Sequence, residues 1–359
     1  MKILLLSRYG SLGASSRVRS YQYLPYLNTQ GIKVTVAPFL GDDYLKTLYA
    51  GEHVNLRYVL RSYIGRILHL LKSKRFDMLW VEYEVLPWLP AYGEEILHYL
   101  KILWIADFDD AVFYRYDMHP EAVVRVLLGR KIDSVMQHAS LVLVGNTYLA
   151  ERARRAGAER IEYLPSVIDL ERYETGNWKL ETRNSKFTIG WIGSPSTAQY
   201  LHIAGPALAS VCREINARLV LVGSGEIQIR GVQIEIRSWS EDTEVGDILG
   251  FDVGIMPMPD NPWTRGKCGY KLIQYMACGL PVIASPVGVN QVLVENGVNG
   301  FLATDTESWV RAFLTLYENC HLRERMGRCG RIKVETEYCL QVTAPRLASF
   351  IRSFGKIKT

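Results

Sequence analysis

Residues 187–201 read FTIGWIGSPSTAQYL. Phe187 to Ile192 is a short apolar run, the pattern of a strand buried on both faces. It ends at Gly193-Ser194, with Ser194 placed to cap a helix and Pro195 at that helix's first position. This is the opening of a βα unit, and it begins halfway along the chain. An equivalent opening stands at the N-terminus, where KILLLSR at 2–8 runs into GSLGAS at 10–15 and a helical stretch with Tyr21, Leu24 and Leu27.

Working outward, further strand-like runs lie at 32–39, 78–82, 102–106 and 141–144 before the central stretch. After it come 218–225, 232–236, 252–259 and 280–285, each separated by helix-like sequence. Strands alternating with helices imply βαβ units and parallel sheets. The second start predicts two successive α/β domains, 1–165 and 187–340, joined by a polar linker over 166–186 and followed by a last helical stretch, 341–359.

The length of 359 residues agrees with two domains, since single cores stop growing near ~250–300 residues. With 48% hydrophobic residues and a net charge of +5, the chain is not of disordered composition. Residues 1–175 carry 22 basic and 20 acidic side chains, so no half is basic enough to suggest nucleic-acid binding. The uncharged windows 187–212 and 272–294 are broken by Gly and Pro and do not read as membrane spans. The N-terminal apolar run is followed by Arg8, Arg17 and Arg19 rather than a cleavage site, so it is read as a buried strand. Six cysteines without a C-x-x-C pair imply free thiols in a reducing cytoplasm, with neither a disulfide framework nor a zinc site.

In parallel sheets, ligands sit beyond the carboxyl ends of strands. Gly10 and Gly13 follow the first strand, and Gly193-Ser194 follows the central one at a helix start that favours phosphate. A plain βα turn without ligand is the alternative at both. No complete G-x-G-x-x-G or G-x-x-x-x-G-K-[ST] occurs, which takes most of the support from the NAD dehydrogenase and P-loop ATPase readings. Arg265, Lys267 and Lys271 cluster near 262–288, and a helix over 268–278 would set Lys267, Lys271 and Gln274 on one face. That face suits a diphosphate with a neighbouring hydroxyl-bearing group; a solvated helix face is the alternative. DFDDA at 107–111 follows a strand; its carboxylates read as cleft-lining groups and caps rather than a metal site. His119 lies nearby. Residues 54–76 hold Arg57, Arg61, Arg66, Lys72, Lys74 and Arg75 and no acid. Taken as one helix, the stretch sets Arg57, Arg61, Lys72 and Arg75 beside an apolar arc of Leu60, Ile64, Ile67 and Leu71, a pattern for an anionic membrane surface. Arg66 and Lys74 break that segregation, and an ordinary packed helix is the alternative.

GYKLIQYMACGLPVIASPVG at 269–288 resembles the C-terminal signature of the retaining glycosyltransferases of family 4, which have the GT-B fold. YLPSVIDLERY at 163–173, LVLVGSG at 219–225 and VGVNQVLVENGVNGFLA at 287–303 are similar to further passages of that family. The resemblance implies two Rossmann-like domains facing a central cleft, with 341–359 crossing back to the first domain. It implies a UDP- or GDP-sugar co-substrate bound by the second domain, a saccharide or lipid-linked acceptor, and no metal or other cofactor. It also implies a cytoplasmic enzyme of polysaccharide or lipid-linked saccharide synthesis, peripheral at the inner membrane face.

Carried over, the family's two E-x7-E glutamates fall on Gly266 and Gln274, so both carboxylates are missing. Gln274 can still bond ribose hydroxyls, and Gly266 has no side chain to offer the sugar. Asp109 and Asp110 are the implied catalytic residues, contacting the donor sugar or stabilising developing positive charge. Gly13, Gly193, Ser194, Arg265, Lys267, Lys271 and Gln274 are the implied donor-binding set. The missing glutamates keep a non-catalytic sugar-nucleotide-binding paralogue open, and the fold keeps a sugar-nucleotide epimerase open.

Overall fold

The computed structural model describes residues 1–49, 55–173 and 186–355. Most of the 166–186 linker, position 54 of the basic stretch and positions 356–359 of the last helix lie outside the described residues. The chain divides into two compact units. The first comprises Met1–Ser166, Gly266–Cys268 and Thr343–Thr359; the second comprises Val167–Arg265 and Gly269–Val342.

The first unit holds one parallel sheet of β1 (Lys2–Leu6), β2 (Lys33–Val36), β3 (Met78–Glu82), β4 (Trp104–Phe108), β5 (Leu141–Val144) and β6 (Ile161–Tyr163). Their spatial order is β2-β1-β3-β4-β5-β6. Strands β3, β4 and β5 are buried along their whole length because helices cover both faces, which is why they read as unbroken apolar runs. Edge strand β2 leaves Lys33, Thr35 and Val36 exposed and Val34 half-buried, giving KVTV its mixed character. The chain from Thr343 packs in this unit, where Thr343 Oγ1 lies 3.0 Å from Tyr23 OH and Arg160 Nη1 donates to Ser353 Oγ at 2.8 Å.

The second unit holds β7 (Thr188–Ile192), β8 (Arg218–Val222), β9 (Ile234–Arg237), β10 (Val253–Met256), β11 (Val282–Ala284) and β12 (Gly300–Leu302). They are parallel, in the order β12-β11-β10-β7-β8-β9. In both sheets the order reverses at the first strand, so a switch point lies between β1 and β3 and another between β7 and β10. The carboxyl ends of such strand pairs are where open α/β sheets bind ligands.

Three expectations need correction. β4 begins two residues later than expected and takes in Asp107, which is therefore a strand residue and buried. β6 and β12 were not foreseen: each is three residues long, too short for an apolar period to register. The basic stretch is not one helix: the helix Leu56–Leu71 gives way to a 3₁₀ turn, Ser73–Arg75, so Lys72, Lys74 and Arg75 leave its surface.

Candidate active site

The β1–β3 switch point in the first unit is lined by acids. Glu82, the last residue of β3, is buried; its Oε2 accepts from Arg8 N at 2.8 Å and Ser16 Oγ at 2.6 Å. Burial raises the Glu82 carboxyl to about 7, against the opposing bonds from Ser16 and Arg8. Tyr83 follows in a left-handed conformation (φ 62°), which costs a non-glycine residue roughly 1–2 kcal/mol. This aims its hydroxyl at Asp109, to which it donates a short hydrogen bond. Ser15, in the helix that Gly13 begins, donates to both Asp109 oxygens at 3.1 Å. Burial, then the charge of Asp109, pushes the Tyr83 hydroxyl well above the usual tyrosine range, so it remains a donor.

Asp107 and Asp110 face elsewhere. Arg19, fully buried, donates to Asp107 through Nε at 3.1 Å and to Leu164 O at 2.6 Å. Burial alone would weaken the Arg19 guanidinium as a base, but Asp107 outweighs it and holds the proton more tightly. Asp110 Oδ1 takes its neighbour's amide, from Ala111 at 2.9 Å, and Oδ2 takes Lys267 Nζ at 2.6 Å. Asn146 has two tasks: Oδ1 caps the helix Thr147–Ala156 through Leu149 N, and Nδ2 holds Gly266 O at 2.8 Å and Lys267 O at 3.0 Å. The Gly266–Cys268 segment is thus bound into the first unit, and Gly266 is pressed so close that a Cβ would stand 2.4 Å from that of Ala111. Among the described residues, no group of three or more His, Cys, Asp or Glu side chains is placed to hold a metal ion.

The switch point of the second unit is lined by glycine, an indole and an ammonium. Gly193 follows β7, and Gly223 (φ 73°) follows β8 so closely that its Cβ would meet Gly193 O at 2.5 Å and Trp239 Cβ at 3.0 Å. The helix Tyr270–Ala277 is fixed to the sheet by Tyr275, whose hydroxyl accepts from Ile192 N at 3.0 Å and whose ring fills the space above Gly254. One turn earlier, Lys271 lies along Gly193 with Nζ 5.3 Å from the Trp191 ring centroid. Behind it runs a buried chain of bonds. Gln274 Nε2 donates to Tyr173 OH at 2.9 Å, Tyr173 donates to Glu244 at 3.1 Å, and Trp239 Nε1 donates to Glu244 at 2.9 Å.

The expected donor-binding residues therefore fall into two groups. Gly193, Ser194, Arg265, Lys271 and Gln274 lie in the second unit; Gly13 and Lys267 lie in the first, with Asp109 and Asp110. Lys267 does not share a helix face with Lys271 and Gln274, because Gly269 turns left-handed (φ 68°) and the helix starts only at Tyr270. Arg265 closes a one-turn helix and is paired with exposed Asp260 at 2.6 and 2.9 Å. Gln274 is buried, with its amide nitrogen committed to Tyr173. Ser194 does precede a helix with Pro195 at its first position, but that helix, Pro195–Ala198, is a single turn with little dipole, and Ser194 Oγ meets Ser196 Oγ instead. The reading missed Ser15, Tyr83, Glu82 and Asn146. For Glu82, Tyr83 and Asn146 the sequence signal was polar residues at the ends of apolar strands, at 82–84 and 145–146; Ser15, within the helix Ala14–Arg19, had none of that kind.

Residues 186–319 match the family Glycosyl transferases group 1. The capsular polysaccharide biosynthesis glycosyltransferase CapM of Staphylococcus aureus is 24% identical over 205 residues, a match spanning 53% of this chain and 53% of CapM. Among solved structures, sucrose-phosphate synthase from Thermosynechococcus elongatus superposes with a TM-score of 0.72 at 14% identity, covering 99% of this chain and 100% of that one. The Anabaena protein HepE, solved in complex with UDP, gives 0.71 at 18% identity, covering 98% and 100%. Residues 186–319 are accordingly similar to group 1 glycosyl transferases, in a chain that has the two-sheet α/β fold of GT-B glycosyltransferases.

Proposed function

We propose that this chain is a glycosyltransferase that moves a sugar, with retention of configuration, from a nucleoside-diphosphate sugar to an acceptor hydroxyl. The observation that carries the reading is Lys271 lying over Trp191 along the glycine floor of the second unit, inside the segment that matches the group 1 family. Glycine turns admit a diphosphate close to the backbone, the ammonium offsets its charge, and Trp239 borders the same floor. A uridine donor is favoured over guanosine, because HepE was solved with UDP and with UDP-glucose. As the bond from sugar to diphosphate breaks, negative charge gathers on the leaving group beside Lys271, and positive charge develops on the sugar. Asp109, held by Ser15 and Tyr83, is assigned to the sugar or the acceptor hydroxyl.

The acceptor is assigned to a growing polysaccharide or a lipid-linked saccharide, the role printed for CapM supporting the first. Six free thiols suit a reducing compartment, and the proposal places the enzyme in the cytoplasm. The chemistry uses protein cations and is expected to continue in the presence of EDTA. The tightly packed Gly266 favours a second reading, a sugar-nucleotide binder without turnover, since no glutamate side chain fits there. The test is a thermal-shift screen with UDP, GDP, CDP and NAD, followed by UDP release from UDP-sugars. A shift with UDP and turnover supports the enzyme, a shift without turnover on any donor selects the binder, and no shift with any nucleotide defeats both.

A further inference from the structure

His98 and His138 meet on the first unit, at the end of the sheet opposite Asp109. His98 stands in the last turn of the helix Tyr92–Tyr99, and His138 is the last residue of the helix Lys131–His138. The two helices pack on each other, and Leu97, Val135 and Met136 beside the histidines belong to one buried apolar cluster. That packing fixes the two backbones, so the side chains are brought together at no further cost in order. The rings stay accessible: His98 is exposed and His138 half-buried. Their centroids are 4.9 Å apart and their planes are tilted by 57°.

Spacing, protonation and field all suit a shared metal ion. Two imidazoles bonded to one ion at ~2.0–2.1 Å, with about 90–110° between the bonds, hold their centroids roughly 4.5–5.2 Å apart. The observed 4.9 Å falls inside that interval. His138 Nδ1 lies 2.9 Å from Ser134 O, one turn back, and 3.2 Å from Ser134 Oγ. A carbonyl only accepts, so Nδ1 carries the hydrogen and the neutral ring keeps its lone pair on Nε2. Ligating histidines are commonly oriented by such a bond to a backbone carbonyl. Both rings also stand at helix C-termini, where the last carbonyls favour a cation.

We propose that His98 and His138 together bind one divalent transition-metal ion through imidazole nitrogen. The ion ties the helix that leads into β4 to the helix that leads into β5. Imidazole selects Ni²⁺, Cu²⁺ or Zn²⁺ over Mg²⁺ and Ca²⁺, which take oxygen ligands. Water fills the remaining coordination positions, in keeping with the absence, among the described residues, of any group of three or more such side chains placed to hold a metal. Position separates this site from the chemistry. Both helices end at the amino ends of strands, whereas Asp109 follows the carboxyl end of β4, five residues or about 16 Å further along the sheet. The ion is therefore a staple within the first unit, and the inference does not rest on the glycosyltransferase reading.

The test is calorimetric titration of the full chain, untagged and stripped of metal, with Ni²⁺. Binding of one ion per chain is expected, with none of Mg²⁺. His98→Ala and His138→Ala should each weaken Ni²⁺ binding at least about tenfold, since even a ligand's supporting bond is worth about 10–100-fold. Cys320→Ala, which removes the exposed thiol, should leave binding unchanged. Weakening in one histidine variant alone would assign the ion to a single surface imidazole and overturn the shared site. Equal binding by both folded variants, loss in Cys320→Ala, or no binding by the native chain would overturn it as well. Should His138→Ala not fold, electron paramagnetic resonance of Cu²⁺ on the native chain decides: coupling to two imidazole nitrogens supports the pair, and coupling to one or none refutes it.

Discussion

Replacing Lys271 by alanine is the sharpest probe of the second unit's site. At an effective dielectric of about 20, an ammonium about 4 Å from one phosphate charge gains about 4 kcal/mol. Desolvation and lost side-chain freedom bring a charge-assisted hydrogen bond down to about 1.5–3 kcal/mol net. Lys271 already lies along Gly193 with Nζ 5.3 Å from the Trp191 ring centroid, so little further ordering is needed. That argues for ~2 kcal/mol, or about a 30-fold rise in the Kd for UDP. Arg265 is engaged with Asp260, and Lys267 with Asp110, so neither is expected to substitute. The assay is titration calorimetry with UDP at about physiological ionic strength, where exposed charges are screened beyond ~8 Å. Lys271→Arg, which keeps the charge, should recover most of the affinity. A folded Lys271→Ala protein that binds UDP within about twofold of the parent would refute the placement of the diphosphate on the glycine floor.

Asp109→Asn should lower turnover about 10²–10³-fold, the usual range for loss of one preorganised electrostatic group, while leaving UDP affinity unchanged; unaltered turnover removes Asp109 from the chemistry. Asp107→Ala strands the Arg19 charge in the interior and should destabilise the first unit by about 3–5 kcal/mol, a fall in Tm of about 10 °C. The pair Arg19→Met with Asp107→Leu should cost far less, and a single variant as stable as the double would contradict the buried ion pair. For Glu82, burial raises the folded carboxyl from 4.5 to about 7, so its contribution to stability is full below about 4.5 and is lost as pH rises through about 7. That change, on the order of 3 kcal/mol, should vanish in Glu82→Gln, flattening the unfolding free energy across this window; an unchanged slope sinks the assignment.

The two sheets were legible because their central strands are buried on both faces. Such strands must be continuous and apolar, as in MLWVE and LVLV, and that signal does not depend on the rest of the fold. Edge strands carry no such constraint, so IEY at 161–163 was invisible. The sites were less legible because their geometry rests on backbone turns. The positive φ of Gly269 separates Lys267 from Lys271, and that of Tyr83 aims a hydroxyl at Asp109; glycine permits such an angle without requiring it, and a tyrosine gives no sign of it. The helical wheel of 54–76 failed for a related reason. Periodicity tells which residues share a face, but only packing decided that the Arg66 face would be the buried one.

The two switch points also differ in what they cost the fold. Beside β1 and β3, Arg8, Arg66, Glu82 and Glu94 are withdrawn from water, and Arg8 Nε, Arg66 Nη1, Glu82 Oε1 and Glu94 Oε2 find no hydrogen-bond partner among the described residues. Each such atom costs about 1–3 kcal/mol, and well-packed apolar side chains would be cheaper. The strained Tyr83 adds to this. Beside β7 and β10 the buried groups Gln274, Tyr173 and Glu244 are joined in one chain of hydrogen bonds, and close approach is achieved with glycine. Stability alone would therefore not have kept the first arrangement. What it secures is position: Glu82 and Tyr83, adjacent at the end of β3, grip Ser16 and Ser15, adjacent at the start of the helix, and Asp109 is held by Ser15 and Tyr83. A carboxylate held that firmly, at that expense, is where the structure places the demand for geometry, and it is why Asp109 rather than Asp110 is the side chain to test first.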